Sequence, residues 1–318
     1  MNQGNEKSRN GPIRVPVILG PTAVGKSAIA LAAAELAGAE ILSCDSRQIY
    51  RGMDIGTAKP SAEERKRIPH WMVDIVDPDQ PFSAERFRAM ALAIIRERSE
   101  LGKRLLICGG TGFYFRALSR GLGPDVGADP DFRALYEKKA RESGPHSIFE
   151  ELKAVDPASA RNIHPHNVKR HIRALEVFHR TGRPLSEFGV CARPPGDMRF
   201  EVILCALPRE ILYARINARV DRMARDGLRD EFDGLLRRGY RRATPGMQCV
   251  GYRELFDMRE GRISFHEALE LIKRNTRRYA KRQMTWFAHQ ERGWTVDLSS
   301  TSPEEIIGRI IAGFNETQ

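Results

Sequence analysis

The stretch GPTAVGKS, Gly20 to Ser27, carries the clearest chemistry in the chain. It fits the pattern Gly, four residues, Gly-Lys-Ser. A loop of Gly20, Pro21, Thr22, Ala23, Val24 and Gly25 turns backbone N–H groups on an anion, and the helix that follows adds its dipole. Lys26 would neutralise phosphate charge, and Ser27 stands where a magnesium ligand usually sits. The motif by itself does not say which phosphate is held. A second stretch, DSRQIYRGMDIGTAKP, opens on Asp45, a carboxylate that could take a proton or hold magnesium. A lone Asp at a strand end is also a common turn former. Ser46, Arg47 and Gln48 could contact a base or sugar, and Lys59 could come near phosphate or substrate. In GGTGFY, glycines allow close backbone approach and Thr111 could hydrogen-bond a ligand.

Three further segments carry cations at helical spacing. ARINARVDRMARDGL repeats Arg215, Arg219 and Arg222, a row that could clamp a diphosphate opposite Lys26 or simply pair with Asp221 and Asp226. HPHNVKRHIRALEVFHRTGR places Lys169, Arg170 and Arg173 within one turn. RNTRRYAKRQMTWF interleaves basic residues with Tyr279, Trp286 and Phe287, a composition suited to gripping phosphates and stacking bases. The bland reading of each is a solvated basic face with an apolar stripe toward the core.

The elements that must position these groups follow from apolar runs. Val15–Gly20, Ala39–Ser46, Arg104–Gly112, Phe200–Leu207 and Trp294–Leu298 read as five strands. Helical patterns lie between them, notably Ala84–Leu101, Arg209–Arg238 with a break near Gly227, and Phe265 to about Gln290. Strand, Gly-rich loop and helix in succession is the context a phosphate loop needs. The alternation predicts an α/β fold whose parallel sheet is covered on both faces. Between about Leu122 and Gly196 the rhythm changes to helical segments alone, around Asp131–Glu142, Ser147–Val155 and His166–Thr181, closed by the Pro-rich ARPPGD. The expected organisation is a polar, disordered tail over 1–12, a phosphate-loop α/β core over 13–121 and 197–318, and an all-helical insertion over 122–196.

The whole chain has 318 residues and a net charge of +11, which favours a polyanionic partner such as nucleic acid. Its five cysteines, Cys44, Cys108, Cys191, Cys205 and Cys249, form no CxxC pair, and no His cluster has zinc spacing. They read as free thiols of a reducing, cytoplasmic protein. No apolar run is long enough to cross a membrane as a helix, and the N-terminus lacks the apolar core of a signal peptide.

Together, GPTAVGKS, DSRQIYRGMDIGTAKP, GGTGFY, RALEVF, GYREL and TRRYAKRQMTWF resemble the tRNA dimethylallyltransferases, also called tRNA isopentenyltransferases, in order and spacing from Gly20 to Phe287. The resemblance implies a phosphate-loop core with a helical insertion, a need for magnesium, and a monomer. It implies transfer of a dimethylallyl group from its diphosphate to N6 of the adenosine 3′ to the anticodon, in tRNAs that read codons beginning with U. Lys26, Thr22 and Arg222 would attend the diphosphate, and Asp45 would accept a hydrogen bond or proton from N6. RNA contacts carried over by motif are Asp45, Ser46, Arg47 and Gln48, Thr111, and Arg133 after ADPDF. They continue with Lys169, Arg170, His171, Ile172 and Arg173, then Gln248, Cys249, Val250, Gly251, Tyr252 and Arg253. The last group is Lys281, Arg282, Gln283, Met284, Thr285, Trp286, Phe287 and Ala288. Two positions depart from the family's pattern. Lys169 stands where Gln is common, and Ala288 stands where Arg is common, so that one phosphate contact is either missing or supplied by Arg292.

Competing functions fit less of the chain. A small-molecule kinase would use the same loop for ATP and Arg215–Arg225 as a lid, but leaves the basic aromatic helix without a task. A non-catalytic RNA-binding module leaves the phosphate loop and Asp45 unexplained. A prenyltransferase acting on free adenosine nucleotides would need no basic insertion.

Overall fold

A computed structural model describes residues 11–123, 126–188 and 195–315. Residues 1–10 of the expected tail, Cys191 and the first three residues of ARPPGD lie outside the described residues. The chain divides into two compact units, Met1–Ser119 with Pro195–Gln318, and Arg120–Pro194.

The first unit is built on strands rich in Val, Ile and Leu that bury both faces, as a parallel sheet requires. In chain order it begins with β1 (Ile13–Leu19), α1 (Lys26–Ala37), β2 (Ala39–Cys44), α2 (Ala62–Arg67) and β3 (His70–Trp71). It continues through α3 (Ala84–Glu100), β4 (Arg104–Gly109) and α4 (Gly112–Arg120). Ser61 and Ser83 cap α2 and α3 by accepting from backbone N–H groups in their first turns. The second unit holds α5 (Pro130–Glu142), α6 (Pro145–Val155), α7 (Pro157–Asn162), α8 (Val168–Thr181) and a 3-10 turn, Leu185–Phe188. Proline opens α5, α6 and α7, where its missing N–H is not needed. Ile148, Leu152, Ala160, Ile172, Ala174 and Leu175 form this unit's own core.

The chain then completes the first unit with β5 (Met198–Ala206), α9 (Arg209–Arg225), α10 (Leu228–Arg237), α11 (Tyr252–Arg259), α12 (Phe265–Gln290), β6 (Trp294–Asp297) and α13 (Pro303–Asn315). Gly227, at φ 99°, breaks α9 from α10 where a side chain would be strained. The sheet has six strands in the order β3-β2-β4-β1-β5-β6, and every pair is parallel. The five strands expected from sequence are present. β3, α2, α4, α7, α11 and α13 were not expected; β3 is a two-residue edge strand, too short for any periodicity to mark it.

Register decides what this fold brings together. Leu19 of β1 pairs with Gly109 of β4, and Gly109 pairs with Cys44 of β2. The three residues that follow, Gly20, Gly110 and Asp45, therefore leave the same edge of the sheet side by side. Open α/β sheets bind their ligands at this carboxyl edge.

Candidate active site

The phosphate loop leaves β1 under tight steric control. A Cβ on Gly20 would lie 2.5 Å from the Cys205 carbonyl oxygen, so only glycine fits. Ala23 is left-handed at φ 66°. Gly25, the residue before α1, offers that helix no side-chain cap, which leaves the first amides of α1 for an anion. The Lys26 side chain is buried, and its Nζ donates to the Pro21 carbonyl at 2.7 Å. Burial lowers its pKa and the Arg219 charge adds to that effect, while Asp45 opposes it. A cation held by one carbonyl in so dry a place is strengthened as an anion ligand.

Helix α9 supplies further cations, with a change of residue. Arg215 donates to the Val24 carbonyl at 2.9 Å, and Arg219 donates to the Thr22 hydroxyl at 3.3 Å. Burial and the neighbouring Arg222 charge both push the Arg219 guanidinium toward losing its proton, and Asp45 resists. Arg222, favoured from sequence, is exposed and makes no hydrogen bond to the loop among the described residues. The i,i+4 pair Arg215 and Arg219 shares the face that meets the loop, and Arg222 lies three residues past it.

Asp45 is the turn former that an Asp at a strand end commonly is. Its Oδ1 accepts from the Arg47 N–H at 2.7 Å and more weakly from the Gln48 N–H at 3.4 Å, which fixes the turn. Its Oδ2 makes no hydrogen bond among the described residues, so one oxygen is oriented and the other remains an acceptor. Thr111 braces the neighbourhood: its N–H donates to the Cys44 carbonyl at 3.1 Å, and its hydroxyl accepts from the Ser46 N–H at 3.0 Å. Tyr279 of α12 was not expected here. Burial first, and the Asp45 charge next, push its phenol up to about 12, so it remains a hydrogen-bond donor at neutral pH.

Other residues of the second motif prove to be structural. Gln48 accepts from the Ser43 hydroxyl at 2.8 Å and donates to the Ala58 carbonyl at 3.1 Å, so both ends of its amide are engaged within the fold. The Lys59 side chain is 1% exposed and pairs with Asp54 and Asp74, which removes it from any phosphate. Glu231 of α10, also unforeseen, accepts from the N–H groups of Asp54, Ile55 and Gly56 and from the Tyr252 hydroxyl at 2.6 Å. Tyr252 is fully buried, and a Cβ on Gly56 would lie 2.6 Å from its hydroxyl. Tyr252 thus supports the site from behind and offers RNA no surface. Neighbouring Gln248 and Arg253 are exposed, Gly251 is buried, and Cys249 and Val250 are partly covered.

On α12 the last motif divides by face. Lys281, Arg282, Thr285 and Ala288 are exposed, Met284 and Trp286 are partly covered, and Gln283 and Phe287 are buried. Trp286 packs so close to Gly112 that a Cβ there would lie 2.3 Å from the indole.

In the helical unit, Lys169 and Arg170 are exposed, but His171 and Ile172 are buried in the core. Their burial overturns the RNA contacts assigned to those two, because both fall on the apolar face of α8. Arg133 and Arg173 have an internal partner. Arg133 grips the buried Glu176 with Nε at 2.9 Å and Nη2 at 2.8 Å, and Arg173 reaches the same carboxylate at 2.7 Å. Burial alone would raise the Glu176 pKa; the bonds from Arg133, the Asp129 N–H and Arg173 outweigh it and hold it at about 2.

No group of three or more His, Cys, Asp or Glu side chains among the described residues could hold a metal ion. The oxygen donors on this sheet edge are the exposed Ser27 hydroxyl, beside the loop, and the Asp45 carboxylate, two strands away, both hard oxygens. They suit magnesium, which keeps several waters and takes most of its protein-side binding through substrate phosphates. Among the described residues, no helix is long and apolar enough to cross a membrane.

Known proteins of similar sequence and fold are consistent with one another. A family model described as IPP transferase matches residues 48–290. The tRNA dimethylallyltransferase of Geobacter metallireducens is 48% identical over 275 residues, 86% of this chain and 89% of the relative. The full-length tRNA isopentenylpyrophosphate transferase of Bacillus halodurans superposes with a TM-score of 0.70 at 37% identity, covering 95% of this chain and 97% of that one. A eukaryotic dimethylallyltransferase acting on tRNA superposes with a TM-score of 0.77 at 25% identity, covering 92% and 77%.

Proposed function

The chain belongs to the IPP transferase family, and from that premise we propose that it transfers a dimethylallyl group from dimethylallyl diphosphate to N6 of the adenosine 3′ to the anticodon in tRNAs reading codons that begin with U. The observation that carries this reading is the register of β1, β4 and β2. It sets an anion cradle and an unpaired carboxylate oxygen two strands apart on one edge, roughly 10 Å at the usual strand spacing. A prenyl diphosphate seated in the loop would point its C1 across the GGT turn toward an amine held by Asp45.

The chemistry follows from charge. The exocyclic amine of adenine is a weak nucleophile, so the C1–O bond of the donor must loosen as the N6–C1 bond forms. Lys26, Arg219 and the loop amides neutralise the charge that builds on the departing diphosphate. Asp45 Oδ2 accepts the N6 hydrogen and takes the proton as nitrogen becomes alkylated. Ser27 would hold magnesium, whose chemistry is to share the negative charge of the leaving diphosphate. The target base must leave its stack, at a cost of a few kcal/mol. Exposed cations such as Lys281, Arg282, Lys169 and Arg170 would offset that cost on the RNA backbone. Cys44, Cys108, Cys205 and Cys249 are free thiols, which supports a reducing, cytoplasmic setting, and we take the enzyme to act as a monomer.

A kinase reading is not favoured: the relatives are prenyl-transferring enzymes, and Asp45 with the basic face of α12 has no part in it. The test is incubation with labelled dimethylallyl diphosphate, magnesium and either unmodified tRNA or free AMP. Label is expected on tRNA only. Label on AMP alone, or ATP consumption on a small acceptor with none on tRNA, would overturn the reading.

A further inference from the structure

Gln283 lies on α12 between two exposed cations, Lys281 and Arg282, and the exposed Thr285, yet its own side chain is buried. Its Oε1 accepts from the Thr22 N–H of the phosphate loop at 2.9 Å. Its Nε2 donates to the Gly110 carbonyl of the GGT turn at 2.8 Å. One amide thus ties the loop that holds the donor to the turn beside Asp45, from a helix whose outer face is basic. Thr22 also accepts from Arg219 through its hydroxyl, so the same residue joins the α9 cations to this tie. Arg277 of α12 donates to Asn217 of α9 at 2.6 Å, which fixes the two helices against each other. Ala280 and Phe287, both buried, anchor the inner face of α12 on either side of Gln283. The fit is close: a Cβ on Gly110 would lie 2.8 Å from Gln283 Nε2.

We propose that Gln283 is a positioning residue that sets the phosphate loop against the acceptor turn, so that engagement of RNA by the outer face of α12 fixes where the prenyl diphosphate sits. It acts through Thr22 and Gly110 and touches neither substrate. The proposal rests on the prenyl-transfer reading above. The neutral amide serves both backbone groups at once, accepting from one and donating to the other. An ionised carboxylate would satisfy Thr22 but repel the Gly110 carbonyl. A thioether of similar volume would leave both backbone groups unpaired.

The experiment uses the full chain with dimethylallyl diphosphate and an unmodified anticodon stem-loop RNA. Q283M is expected to lower kcat/KM for dimethylallyl diphosphate about 10- to 100-fold, the size of a displaced reacting group, while KM for the RNA moves less than about twofold. The second variant, Q283E, keeps the shape of the side chain. Its protonated carboxyl both donates and accepts, so the ratio of its kcat/KM to wild type should rise as pH falls from about 8 to about 5.5, where a buried Glu gains its proton. Groups shared by the two proteins, Asp45 included, cancel in that ratio. G110A should displace the amide, and its effect combined with Q283M should be less than additive. Thermal unfolding of each variant separates misfolding from misplacement. Wild-type donor kinetics in Q283M, a flat pH ratio in Q283E, or full additivity with G110A would overturn the proposal. A wild-type protein that leaves the RNA unlabelled would instead overturn the prenyl-transfer reading. The Gln283 tie would then be read from binding of inorganic pyrophosphate with and without RNA, which Q283M should uncouple.

Discussion

At the residue scale, the site depends on which atoms remain unpaired. Asp45 has one oxygen committed to its turn and one without a hydrogen bond among the described residues, so its removal should harm turnover more than RNA binding. Asp45→Ala is expected to lower kcat by about 10²- to 10⁴-fold, the usual worth of a positioned proton acceptor, with tRNA affinity unchanged within a few-fold by filter binding. Unchanged turnover would remove Asp45 from the proton path. Among the arginines, Arg219 touches Thr22 and Arg222 does not. Arg219→Ala should lower kcat/KM for the prenyl diphosphate by about 10²- to 10³-fold, as loss of a donor to developing charge does, and Arg222→Ala by much less. The reverse ranking in steady-state kinetics would return the role to Arg222. Lys26, Thr22 and Asp45 could be singled out in the sequence because they stand in its clearest motifs. Arg219 was visible as one of a row, but spacing alone could not say which member of the row meets the loop.

At the scale of elements, most helices and strands announce themselves by period, caps and punctuation. Gly227 ended α9 where expected, and the apolar runs became β1, β2, β4, β5 and β6. What periodicity could not show is how a helix face is divided between RNA and core. His171 and Ile172 sit in a basic segment yet belong to the packed face of α8, and Arg133 and Arg173 are drawn to Glu176. That carboxylate ties α5 to α8, and it gives the helical unit a predictable acid sensitivity. Its folded pKa, about 2, lies below the ordinary 4.5. The stability it contributes is therefore complete above the ordinary value and is lost as pH falls from there toward 2. Hydrogen exchange on α5 and α8 should show protection falling across that window. Glu176→Gln should cost about 3 kcal/mol, the lower range for breaking a buried pair, and should flatten the acid dependence. Equal acid sensitivity in the variant would assign the effect to another group.

At the scale of the molecule, the surplus of 52 Lys and Arg over 41 Asp and Glu predicts association driven by counterion release. Affinity for tRNA should fall steeply with salt, with a log–log slope of about −3 to −5 if some five phosphates are engaged. A slope near zero would mean that recognition does not run through the basic faces of α8 and α12. Composition and motif by themselves pointed to an α/β phosphate loop and a helical stretch without strands, and the summed charge set the expectation of a polyanionic partner, because each depends on local pattern or total charge. Tertiary structure alone decided which groups meet at the site. Strand register set Gly20, Gly110 and Asp45 on one edge. Packing sent Lys59, Gln48 and Tyr252 inward as supports and turned Arg219 and Gln283 onto the phosphate loop. The physical reason is that spacing along a chain fixes which residues share a face, while burial and pairing between distant segments fix what that face meets.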